Sequence, residues 1–291
     1  WPASAMGNAR EEFGMNDNDR WEVFVLEYAN SHEPWVGLVS GMYDEGMVDL
    51  PFSFVLARRG EQNVLVDCGF MRQGNEAEFP LKFGVSRWIS PLRMLAELGV
   101  TPEAVSDIVV THAHFDHLGS IGEFPKARIH IQKRELLSCY EALALPKRFA
   151  HLSKIVDPAN IRMALEASID HRVNLVDGDR DNLLPGIHVR LGPGHTPGHQ
   201  FVIVETAIGR RVISGDCLYS TRQLIGHAGD GVYAPLNNAT GCGWDQLRTL
   251  DRVNEEIGGD LANLIVMHDV DRWADLPLVA EVEGFRIVRA A

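Results

Sequence analysis

Apolar residues fall along this chain in short blocks rather than long runs. Trp21 to Tyr28, Phe52 to Arg58, Asn63 to Asp67 and Asp107 to Val110 are brief and rich in β-branched or aromatic residues. Blocks of that length and composition predict strands, and residues 128–132, 173–176, 187–191, 200–206, 211–214 and 264–267 read the same way. Helical spacing replaces this pattern at four places. Leu92, Leu95 and Leu98 recur behind Ser90 as a cap and Pro91 in the first turn, with Gly99 as the stop. Helices are also predicted over 133–145, over 158–169 behind Asp157, and over 244–257, where Leu247, Leu250 and Val253 face inward and Gly258 ends the run. The order is β-rich, helix, β, helices, then β-rich, helix, β, which suggests an α/β (α+β) chain of two similar halves.

Two segments lack periodicity. Residues 1–20 are polar and read as a tail or arm, leaving residues 21–291 as a single domain. Ala29 to Asp49 holds Trp35, Met42, Tyr43 and Met47 among Gly and polar residues. It reads either as a surface loop or as an apolar flap over a site. The apolar share is ordinary, but the net charge of −13 opposes an extended nucleic-acid surface, which needs clustered Lys and Arg. No apolar run reaches the roughly 18 residues of a membrane span, and the first residues show no secretion signal. A cytoplasmic protein is expected, as a monomer or homodimer, with a small-molecule partner. Cys68, Cys139, Cys217 and Cys242 are dispersed, as expected of free thiols.

The chemistry concentrates in Thr111-His112-Ala113-His114-Phe115-Asp116-His117. It follows the strand ending at Val110, where α/β folds place their ligand sites. On an extended backbone His112 and His114 leave on one face; Asp116 and His117 follow after the chain bends. Imidazole and carboxylate together suit zinc and similar divalent ions. The spacing His-x-His-x-Asp-His resembles the signature of the metallo-β-lactamase superfamily. Three further stretches occur in the order that this resemblance requires: Gly194-His195-Thr196-Pro197-Gly198-His199, Val212-Ile213-Ser214-Gly215-Asp216 and Leu264-Ile265-Val266-Met267-His268. The resemblance implies an αβ/βα sandwich of two packed mixed β-sheets flanked by helices. It also implies two divalent ions, zinc first with manganese, iron or cobalt as alternatives. His112, His114 and His195 would hold one ion, Asp116, His117 and His268 the other, and Asp216 would bridge. By the same resemblance His199 supports its loop, and Cys217 is a buried thiol. Asp67 is a candidate to orient a ligand imidazole, and His227 is a candidate for the pocket wall.

Tyr219, three residues after Asp216, and the run His130-Ile131-Gln132-Lys133-Arg134-Glu135 resemble the N-acyl-homoserine lactonase branch. That likeness implies a hydrolase opening a small lactone. A hydroxide would attack the carbonyl, the Tyr219 hydroxyl would steady the oxyanion, and Asp116 would carry the proton to the leaving alkoxide. Hydrolysis of another cyclic ester or amide is the alternative, together with a thioester. A glyoxalase-II-type thioesterase usually adds a helical domain, whereas 23 residues follow His268. A persulfide-dioxygenase-like oxidoreductase would hold a single iron with fewer ligands.

Overall fold

The computed structural model describes residues 20–72, 80–268 and 270–291. Apart from Arg20, the expected tail lies outside them. In chain order the first half carries strands β1 (Glu22–Pro34), β2 (Met47–Arg59), β3 (Gln62–Val66), β4 (Val85–Trp88), β5 (Val105–Val109), β6 (Arg128–Gln132) and β7 (Val173–Val176). Between them lie helices α1 (Trp35–Leu38), α2 (Pro91–Glu97), α3 (Phe115–Leu118), α4 (Lys133–Ala144) and α5 (Pro158–Ile169). The second half carries β8 (Arg180–Leu184), β9 (Ile187–Leu191), β10 (Gln200–Thr206), β11 (Gly209–Ile213) and β12 (Leu264–Ile265). Helices α6 (Arg222–Ile225) and α7 (Gly243–Glu256) lie between β11 and β12, α8 (Val270–Ala274) follows β12, and β13 (Leu278–Val282) and β14 (Phe285–Arg289) close the chain.

Two mixed sheets result. One runs β13-β14-β1-β2-β3-β5-β6-β7, with β4 also pairing β1; the other runs β12-β11-β10-β9-β8. Alternation along the strands explains why they stack. On β1, Val23 and Val25 join Val202, Val204 and Ile213 of the second sheet in one buried cluster. The intervening Phe24, Leu26 and Tyr28 turn to the opposite face, where Met94 and Leu95 of α2 and Ala164 and Ala167 of α5 cover them. On β10, Phe201 and Ile203 point away from the first sheet, onto Leu250 and Val253 of α7. A period of two on strands buried on both faces thus produces four layers, helix–sheet–sheet–helix. The two sheets flanked by helices match the architecture expected.

Several boundaries differ from the expectation, each for a physical reason. The segment 29–49 is mostly paired: β1 continues past a register shift between Glu27 and Ala29, and Ala29 to Pro34 pair with Phe52 to Met47. Its polar sequence hid this, because only part of the hairpin contacts the core. Leu38, Val39, Met42 and Leu50 are buried against Tyr219 and Leu236, so this arm has the character of the flap; Tyr43 and Met47 are exposed. Strands β4, β8, β13 and β14 carry no clean apolar alternation and were missed. The strand expected through Met267 pairs only at Leu264 and Ile265. Asp157 caps α5, accepting a bond from the Ala159 N–H at 2.9 Å, whereas Ser90 stands at the start of α2 without a side-chain cap bond.

Candidate metal centre

All seven expected metal-binding residues meet at the ends of β5, β11 and β12 and in the loop before β10. One group gathers His112, His114, His195 and Asp216; a second gathers Asp116, His117 and His268; within each, one donor atom per residue lies within 4.8 Å of the others. All are buried. Local backbone explains the convergence. Gly194 adopts φ +140 and Gly215 φ +53; a Cβ on Gly194 would lie 2.4 Å from Gln246 Cα, and one on Gly215 would lie 2.7 Å from His199 Nε2. Only glycine lets the chain pass there and deliver His195 and Asp216 inward.

The spacing of the donor atoms fits the chemistry of bound cations. In the first group His114 Nδ1 lies 2.9 Å from His112 Nε2 and 3.1 Å from His195 Nε2. Asp216 Oδ2 lies 3.3 Å from His195 Nε2 and 3.8 Å from His112 Nε2. In the second group His117 Nε2 is 3.1 Å from Asp116 Oδ2 and 3.2 Å from Asp216 Oδ1. His268 Nε2 is 3.2 Å from Asp216 Oδ1 and 3.7 Å from Asp116 Oδ2. A tetrahedral ion with bonds of about 2.0–2.1 Å spaces its ligand atoms about 3.3 Å apart. His117 Nε2 and Asp216 Oδ1 are both buried, yet neither makes a hydrogen bond among the described residues. They aim at a common point rather than at each other, and Asp216 divides its two oxygens between the groups.

On His112, His117 and His268 the far side of the ring sets the tautomer that leaves a lone pair pointing inward. His117 Nδ1 donates to Asp67 Oδ2 at 2.7 Å, and His268 Nδ1 donates to the Pro51 carbonyl at 2.6 Å. Thr111 Oγ1 donates to Asp67 Oδ2 at 2.9 Å and can therefore accept from His112 Nδ1 at 3.0 Å. Asp67 sits at φ +60 and also accepts the Thr111 N–H at 2.7 Å, the orienting position read from the sequence. His199 Nε2 accepts the Asp216 N–H at 3.0 Å, holding the loop as expected. Cys217 packs in the apolar layer with Phe201 and Leu250, outside both donor groups. His227 bonds the Ser40 carbonyl at 2.8 Å on the exposed surface and lines neither cavity beside the donor groups, so it is no wall of the pocket.

Electrostatics separate the two groups. Burial pushes His114 and His195 down to about 3 and His112 well below the usual imidazole range, so these rings are neutral, as ligands must be. Burial opposes protonation of His117 too, but the carboxylates of Asp116, Asp216 and Asp67 outweigh it and raise its pKa well above normal. His268 is raised in the same way by Asp216 and Asp116 against its burial. Against its own burial, Asp216 is held far below the carboxylate range by His117, His268 and His112. Protons on the second group thus hold the charge that a divalent cation would supply, and binding would release them.

Four residues that the sequence reading left without a role complete the site. Glu135 of α4 is fully buried. Its Oε1 accepts the Ala113 N–H at 2.9 Å; its Oε2 accepts Thr196 Oγ1 at 2.7 Å and the Gly198 N–H at 3.0 Å. It therefore ties the His112–His114 loop to the His195 loop. Tyr28 donates to the Asp116 carbonyl at 3.0 Å. Asn238 donates to Tyr219 Oη at 2.9 Å, and Tyr219 in turn donates to Asp216 Oδ2 at 2.9 Å. Thr111 was read only as part of the motif. An acid in a helix's first turn is usually solvated, so nothing in the sequence marked Glu135 as buried.

Two cavities open onto His114. One, of about 190 Å³, is walled by Leu38, Leu50, Phe52, Phe83, Tyr219 and His268. The other, of about 220 Å³, is walled by Cys139, Leu145, Leu152, Val156 and Thr196.

Comparison with known proteins agrees with this geometry. The family model described as the metallo-beta-lactamase superfamily matches residues 48–278. An N-acyl homoserine lactonase of a Bacillus species is 28% identical over 170 residues, covering 55% of this chain and 60% of that protein. The N-acyl homoserine lactonase AttM of Azorhizobium caulinodans is 32% identical over 181 residues, covering 60% of this chain and 62% of that protein. The chain thus matches about three fifths of the length of these curated relatives. Among solved structures, AidC, a dizinc quorum-quenching lactonase in complex with a product, superposes with TM-score 0.65 at 20% identity, covering 92% of this chain and 94% of that one.

Proposed function

Since the chain belongs to the metallo-β-lactamase superfamily, we propose that it is a metal-dependent hydrolase that opens the ring of an N-acyl-homoserine lactone or a related small lactone. The observation that carries this reading is the Tyr219 phenol, 2.9 Å from the oxygen of Asp216 that faces the first donor group. The lactonases named among its relatives support the choice of substrate class.

His112, His114 and His195 would hold one divalent ion, Asp116, His117 and His268 a second, and Asp216 both. Zinc is the first candidate, because buried imidazole and carboxylate are its usual donors. Bound there, such ions would supply a hydroxide at neutral pH and polarise the lactone carbonyl. Tyr219 stays a protonated phenol, because burial and then the neighbouring Asp216 charge raise its pKa well above normal. Once bound ions took up the oxygens of Asp216, the one proton that Tyr219 now donates there would be free for the oxyanion that develops on the carbonyl oxygen. Asn238 fixes its direction by occupying one lone pair of the phenol oxygen. Asp116 borders the same cavity and can carry the proton from the attacking water to the leaving ring oxygen. Leu38, Leu50 and Phe52 give that cavity an apolar wall beside its polar residues Glu33, Asp116, Lys154 and Asn238, which suits a lactone bearing a hydrocarbon arm.

The test is a panel of substrates assayed by acid release with metal-loaded protein. It should contain homoserine lactones with short and long acyl arms, simple γ-lactones, a glutathione thioester and a β-lactam. Turnover of the lactones well above the thioester and the β-lactam is expected. Turnover of the thioester alone would sink the lactonase reading while leaving the metal centre intact.

A further inference from the structure

Helices α4 and α5 carry the same outward pattern. On α4, Lys133, Leu137, Tyr140, Glu141 and Ala144 are exposed; on α5, Pro158, Arg162, Leu165, Glu166 and Ile169 are exposed. Both sets fall at i, i+4, i+7, i+8 and i+11, a single stripe along a helix. These helices already bury another stripe, with Glu135 and Cys139 on α4 and Asn160, Ala164 and Ala167 on α5. The outer stripe nonetheless carries large apolar side chains between its charges: Leu137 is 57% exposed, Tyr140 70%, Leu165 61% and Ile169 69%. The helices pack side by side, with a groove of about 480 Å³ between them. Beside them β7 forms the open end of its sheet and leaves Leu175 half exposed. Contiguous apolar surface on this scale marks an interface in a soluble protein, and an open strand edge beside it is a further surface that proteins tend to cover.

Charge indicates which partner fits. Each stripe places its base toward the helix start and its acid toward the end: Lys133 before Glu141, Arg162 before Glu166. Lys133 and Glu141 stand four residues either side of Leu137. A two-fold axis crossing α4 at Leu137 would lay two copies of the helix antiparallel. Leu137 would then meet its own equivalent, and Lys133 of each copy would face Glu141 of the other. A partner of uniform charge would satisfy one end of the stripe and oppose the other, whereas a rotated second copy satisfies both. We propose that the α4–α5 face is a two-fold self-association surface centred on Leu137. It is distinct from the metal centre, although the inner side of α4, through Glu135, Ser138 and Cys139, walls the cavity beside His114.

Sedimentation velocity of the full chain over roughly 1–100 µM tests this, a range in which standard-sized interfaces associate. A dimer is expected. Leu137→Glu should leave a monomer with an unchanged circular dichroism spectrum, because the side chain projects from the helix away from the core. Lys133→Glu should weaken association about tenfold, since each change is made twice across the axis. Lys133→Glu with Glu141→Lys should restore it, a rescue that general surface damage would not produce. A wild-type monomer throughout the range, as expected if this face is covered by another segment of the chain or by a foreign protein, would overturn the proposal. So would a dimer that Leu137→Glu and Lys133→Glu leave intact.

Discussion

Tyr219 and Glu135 show two ways in which a single side chain serves this centre. Tyr219→Phe removes only a hydroxyl, so the fold and bound metal should survive. Lost oxyanion donors commonly cost about a hundredfold or more, but a bound cation would share the charge here. Turnover is therefore expected to fall about tenfold, or about 1.4 kcal/mol, with little change in KM. Unchanged turnover at full metal content would remove Tyr219 from the reaction. Glu135→Gln is a different test. Its two oxygens accept the Ala113 and Gly198 N–H groups and the Thr196 hydroxyl, with a longer contact from the Cys139 thiol, and an amide must turn an N–H toward at least one of them. An unsatisfied buried donor costs about 1–3 kcal/mol, so a lower melting temperature is expected, together with faster loss of metal to a chelator. Metal retention equal to wild type would show that Glu135 braces the fold alone. His112, His114, Asp116 and His117 were legible because imidazoles and a carboxylate at that spacing have few other uses, whereas His195, Asp216 and His268 were implied by the family resemblance. Glu135, Tyr28 and Asn238 were not legible, because their residue types are common and only their tertiary neighbours give them a role.

At the scale of elements, the centre depends on loops that leave strand ends at sharp angles. Gly215 links β11 to Asp216 at φ +53, with Thr111 Cβ 2.8 Å from where its own Cβ would stand. Gly215→Ala should therefore cost about 1–3 kcal/mol in backbone strain alone and should displace Asp216, lowering metal content. Normal metal content in a folded Gly215→Ala protein would show that the loop has more freedom than its packing suggests. The same dependence on context explains what the sequence revealed of the elements. Helix α7 was legible because Leu247, Leu250 and Val253 repeat at helical spacing, and α5 because Asp157-Pro158 marks its start. The outer half of the β1–β2 hairpin, and β8 with its exposed Arg180, Asp181 and Asn182, were missed. Strands with so little buried surface lack the alternation by which a strand is recognised.

For the whole molecule, the metal centre joins both halves of the sandwich: His112, His114, Asp116 and His117 come from the first sheet's side, His195, Asp216 and His268 from the second. Binding there should add to global stability. Ligand at about 100–1,000 times its dissociation constant contributes about 3–4 kcal/mol, which in a domain of this size is about 5–15 °C. Stripping metal with a chelator should lower the melting temperature by that amount, and readdition should restore it. An unchanged melting temperature would mean that the folded chain binds no ion there under those conditions. The two-sheet architecture was foreseen from the order of elements and the family resemblance. The closing hairpin β13–β14, which extends the first sheet beyond β1, was not. The described structure contains no helix long and apolar enough to cross a membrane.

The most direct test is a titration of chelator-stripped protein with zinc while ring opening of an acyl-homoserine lactone and bound metal are followed together. Activity should be absent without metal and should level off at about two ions per chain, with His195→Ala and His268→Ala each reaching a lower metal plateau. Full activity at one ion per chain, or ring opening by metal-free protein, would contradict a dinuclear lactonase.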